Sequence, residues 1–211
     1  MAKLQIRNQR ILDRRKEIIG QLPSLLRIEI ELKKYYSEII RVKEHRESLI
    51  RAHGGICTFE NDDEEGISEY ELNGMQYKME IFDDEHFKLL ENISDINLHI
   101  NLIKCFQFYK EFSTALNSDT IPLDNRIDEI VKEQVDHIDM NGYTNSNLNY
   151  EANKINDEKS TIEDLKERAW KKALEDKVTE DFQKVIEDLE KEIEKVKDIK
   201  ENEDDNSLVN F

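Results

Sequence analysis

Glycine and proline are scarce in this chain, with 6 and 2 among 211 residues. Tight turns and chain breaks call for one or the other, so long helices are favoured. No run of about 18 apolar residues occurs, which argues against a membrane-spanning helix. The opening MAKLQIRNQR lacks the apolar stretch of a signal peptide. Cysteine is equally sparse. Cys57 and Cys105 stand far apart, without metal-ligand spacing. Two such cysteines without a secretion signal read as free thiols in a reducing compartment. The expectation is a soluble chain, cytoplasmic or otherwise intracellular.

Chemical motifs are missing too. None of the five histidines sits in H-E-x-x-H or in a Cys/His cluster. No phosphate-binding glycine loop and no G-x-S-x-G elbow occurs. The acidic stretch from Asn61 to Gly66 invites comparison with a calcium loop. Starting at Asn61 places Asp63, Glu65 and Gly66 correctly, but puts Leu72 where the closing glutamate belongs; starting at Glu60 supplies Glu71 and loses the glycine. A solvated acidic loop is the simpler reading. Asp83, Asp84, Glu85 and His86 have metal-binding residue types, yet their place at a helix start explains the acids by capping and the helix dipole. With 48 Asp+Glu, carboxylate pairs are inevitable and carry little information. No catalytic residue, metal ligand or cofactor is expected, and the chain reads as no enzyme.

What the chain does have is charge. Charged residues make up 37 %, against about 25 % in an average globular domain. The net charge of −17 is uneven: up to Gly54 there are 13 Lys+Arg and 7 Asp+Glu, and thereafter 18 and 41. Such asymmetry marks either a basic binding surface or a basic helix packed on acidic ones.

Periodicity predicts mainly α structure. A first helix spans about Lys3 to Ile19, with Lys3, Arg7, Arg10 and Arg14 in a basic stripe that Arg15 and Lys16 extend. A second runs from about Ser24 to Ala52. Leu25, Ile28, Leu32, Tyr35, Ile39, Val42 and Leu49 form its heptad seam, with Arg46 in one seam place. Over about 56–82 the period changes to two. Asn73-Gly74 between alternating runs predicts an antiparallel β-hairpin or three-stranded meander, with Tyr70, Leu72, Met75, Tyr77, Met79 and Ile81 on one apolar face. A third helix is expected from Asp83-Asp84 to Leu116, with a seam of Leu89, Ile93, Ile96, Ile100 and Ile103, then Phe106, Phe108, Tyr109 and Phe112. The layout helix, hairpin, helix over about Ser24 to Leu116 resembles that of prefoldin subunits. The likeness is one of topology, without a shared motif, and implies a layout alone.

Beyond Pro122 a shorter helix is expected over Asp124 to Ile138, with Ile127, Ile130, Val131, Val135 and Ile138 inward. The Asn-rich stretch 141–159 reads as a loop or hinge. Ser160-Thr161-Ile162-Glu163 has the form of a capping box. It would open one long amphipathic, coiled-coil-like helix over 160–200, before an acidic disordered tail at 201–211. Residues 1–140 would then form a helical domain with the hairpin inserted.

The first functional reading is a non-enzymatic protein–protein interaction protein: a coiled-coil scaffold, assembly subunit or adaptor. Its expected interface is the C-terminal helix, through Trp170, Val178, Phe182, Val185, Leu189, Val196 and Ile199, toward a protein partner or a second copy. The alternative is a nucleic-acid-associated protein that uses Lys3, Arg7, Arg10, Arg14 and Arg15, although no aromatic interleaves with them. An acidic inhibitor or DNA mimic is a further variant.

Overall fold

The computed structural model describes residues 2–57, 66–68, 71–72, 75, 77–174 and 177–208. Its helices are α1 (Ala2–Gly20), α2 (Leu22–Ala52), α3 (His86–Leu90), α4 (Ile96–Asn117), α5 (Ile121–Asn141), α6 (Ser146–Leu174) and α7 (Lys177–Leu208). Two short strands, β1 (Ile56–Cys57) and β2 (Ile67–Ser68), lie between α2 and α3. The fold is mainly α, as the scarcity of glycine and proline predicts. Among the described residues no helix is long and apolar enough to cross a membrane.

The chain forms two units, each assembled from separate segments: Met1–Ile40, Phe82–Lys110 and Asp176–Phe211 in the first; Arg41–Ile81 and Glu111–Glu175 in the second. A single domain over 1–140 is therefore not what forms, because later segments complete both cores.

The core of the first unit confirms the α2 seam: Leu25, Ile28, Leu32, Tyr35 and Ile39 are all buried. Tyr35 stacks on Tyr109, with ring centroids 4.0 Å apart, and packs against Phe82 and Phe106. The expected single third helix is instead two, α3 and α4. Asp95 makes the break by accepting hydrogen bonds from the backbone N–H groups of Asn97 and Leu98, a cap that competes with helix continuation. Restarting at Ile96 shifts the phase. Leu98, Leu102, Cys105, Phe106 and Tyr109 face inward, whereas Ile96 and Ile100, expected in the seam, are exposed.

In the second unit β1 and β2 pair in parallel, Ile56 with Ile67 and Cys57 with Ser68. This replaces the expected antiparallel hairpin; its turn residues Asn73 and Gly74, with Tyr70, lie outside the described residues. Gly66 permits the strands' close approach, since a Cβ there would sit 2.9 Å from the Cys57 nitrogen. Residues 77–81 form no strand. Helix side chains satisfy their backbone: Met79 N–H donates to Asn117 Oδ1, Asn117 Nδ2 donates to the Met79 carbonyl, and Arg41 Nη2 donates to the Lys78 carbonyl. Tyr77 and Met79 are buried as the alternation predicts, but Ile81 is exposed.

Three further boundaries differ from the sequence expectation. The 141–159 segment is no hinge: Gly142 ends α5 in a left-handed conformation (φ 74°), and α6 begins at Ser146. The Asn147 N–H donates to Asn145 Oδ1, so this start lies well before Ser160. Thr161, expected in a capping box, is within α6 and donates to the Asp157 carbonyl. The 160–200 stretch belongs to two helices, α6 and α7, with 175–176 outside the described residues. Residues 201–208, expected as disordered tail, continue α7.

Candidate functional site

Among the described residues no group of three or more His, Cys, Asp or Glu side chains could hold a metal ion. Residues 61–65 of the acidic loop lie outside those residues. His86 is buried in an aromatic setting, its Nδ1 2.5 Å from the Tyr35 hydroxyl. Its Nε2 lies 3.9 Å from Glu31 Oε1. Cys105 is buried, and burial pushes its thiol up to about 12, far from a reactive thiolate.

The C-terminal seam residues lie inside the fold. Phe182, Val185, Leu189 and Val196 are buried, as is Ile193, while Val178 and Ile199 are half-buried. Phe182 packs against Tyr36 and Phe108 within the first unit. Phe182 thus meets α2 and α4 of its own unit. Trp170 belongs to the second unit's core. It meets Tyr77 and Phe112 edge-on, and the Arg46 guanidinium lies over its ring at 4.8 Å.

The basic stripe is on the surface. Arg7, Arg10, Arg14 and Arg15 of α1 are all exposed; the side chain of Lys3 is outside the described set. Ile6, Ile11 and Leu12 are 55 %, 44 % and 44 % exposed on the same helix. Among the described residues Arg7, Arg10 and Arg14 make no ion pair.

The α5–α6 pair holds the feature that sequence reasoning missed. Its helices are joined by polar side chains. Arg126 donates through Nε and Nη2 to Glu151 Oε1, at 3.0 and 2.8 Å, and through Nη1 to Glu129 and Glu133. These carboxylates, Glu151 first, raise the guanidinium's already high pKa. Lys159 pairs with Asp124 at 2.6 Å. Gln134 donates to Asn149 Oδ1 and accepts from the Asn145 N–H. Meanwhile Val131, Val135 and Ile138, expected inward, are 56 %, 52 % and 39 % exposed, and only Ile130 of the expected row is buried. The three step by four and three residues, which sets them in one outward line. The pattern was visible, but which side of an amphipathic helix meets its neighbour depends on Arg126 finding Glu151.

Family models, curated proteins and solved structures give no match to this chain.

Proposed function

We propose that this chain is a non-enzymatic protein-interaction protein, an assembly subunit or adaptor, whose contact surface is the outer face of α5. The observation that carries this reading is the reversed polarity of the α5–α6 pair. Polar groups join the two helices, while Val131, Val135 and Ile138 form an aliphatic line toward solvent. Covering such a row recovers roughly 25 cal/mol per Å² of apolar surface. Surface helices ordinarily turn that row toward their own core.

The test replaces Val131 and Val135 with Asp and compares the variant with the wild-type chain as bait in native extract. Proteins held by the wild type should be lost from the variant, while both retain the same helical circular dichroism. An unchanged captured set would remove α5 as the contact.

Nucleic-acid association remains the second reading, favoured by the exposure of Arg7, Arg10, Arg14 and Arg15 together. It requires binding that weakens steeply with salt.

A further inference from the structure

The outward face of α5 is not neutral. Asp128 and Asp139 flank the aliphatic line, both are exposed, and neither makes an ion pair among the described residues. Helix α1 carries the opposite charge in excess: Arg7, Arg10 and Arg14 stand beside exposed Ile11, with Asp13 and Glu17 lining the same hollow. Each face combines exposed aliphatic surface, a row on α5 and Ile11 on α1, with charge that makes no ion pair among the described residues. The two α1 faces of a pair of chains repel each other, and so do the two α5 faces. An α1 face and an α5 face attract. Their lengths also agree, since Arg7 to Ile18 and Asp128 to Asp139 each span about 16 Å of helix.

We infer that α1 of one copy covers the α5 face of a second copy. The inference rests on the reading of α5 as a contact surface and names its occupant. The α5 row and Ile11 of α1 supply burial, and the charges set which face meets which. Because α1 meets α5 rather than itself, the contact yields a two-fold pair when it is made twice between the same two copies. Otherwise it yields a head-to-tail chain. Both are assemblies heavier than one chain.

Sedimentation of the full chain at tens of micromolar tests this with two surface variants. The first carries Arg7→Glu, Arg10→Glu and Arg14→Glu; the second carries Asp128→Lys and Asp139→Lys. Wild type should be larger than a monomer in low salt and shift toward monomer as salt rises. Each variant alone should associate at least about 10-fold more weakly, because its α1 and α5 faces now share a sign. Mixed together, the two variants should associate again, since the acidic α1 of one fits the basic α5 of the other. A wild-type chain monomeric in low salt overturns the inference. So does a variant that self-associates undiminished, or a mixture that stays monomeric. Salt-sensitive binding of duplex DNA by a chain that remains monomeric would assign the arginines to nucleic acid and likewise overturn it. Loss of captured proteins on replacing Val131 and Val135, in a chain that does not self-associate, would leave the α5 reading standing while this inference falls.

Discussion

Lys166 is the least comfortable side chain in the second unit. It has no exposed surface, and its Nζ has no hydrogen-bond partner among the described residues. Burial lowers its pKa, opposed only in part by Asp119 and Glu163. A folded pKa below the ordinary 10.5 means that the unfolded chain holds the proton more tightly. The charge therefore costs stability below the folded pKa, and that cost disappears as pH rises toward 10.5. Lys166→Met should stabilise the protein by about 1–3 kcal/mol at neutral pH. The gap between the two proteins in urea unfolding should narrow as pH approaches 10.5; a gap independent of pH would contradict the assignment. The sequence held one sign of this lysine: it shares a helix face with Ile162, Trp170 and Ala173, at steps of four, four and three. Arg46 was half-legible. Its place in the α2 seam announced a buried cation, but its partner Trp170 is 124 residues away and no local pattern links them.

At the scale of elements, helices were legible wherever apolar spacing continued unbroken, as along α2 from Leu25 to Val42 and α7 from Phe182 to Val196. Boundaries were lost where one polar side chain decided between continuing and stopping. Asp95 divides the aromatic helix from α3, and Asn145 starts α6 inside a stretch that composition marked as loop. The β segment misled for a related reason. Alternation correctly picked out Tyr77 and Met79 as buried, yet Asn117 and Arg41 do the work of a partner strand. The α5–α6 pair depends most on a single residue, Arg126. Arg126→Ala should leave Glu129, Glu133 and Glu151 crowded without a cation, and the pair should loosen at that level. Hydrogen exchange should quicken in 121–141 and 146–160 while the α7 backbone keeps its protection. Equal quickening in both would show that the pair is no separate element of stability.

At the scale of the whole molecule, neither unit is a contiguous stretch of sequence. Local patterns reveal helices but not which distant segments complete a core, so the domain division could not be read from sequence. The same limit bears on the expected interface: the regular α7 seam drew attention, but its buried Phe182 meets Tyr36 and Phe108 within its own unit. Val131 and Val135 of α5 and Ile11 of α1 are among the aliphatic side chains left exposed. Hydrogen exchange of the full chain, compared when dilute and free and when engaged with a second copy or a captured binder, tests this account most directly. Slowed exchange confined to α5, with α1 following when the binder is a second copy and α7 unchanged, is the predicted result. Slowed exchange in α7 with α5 unaffected would contradict it.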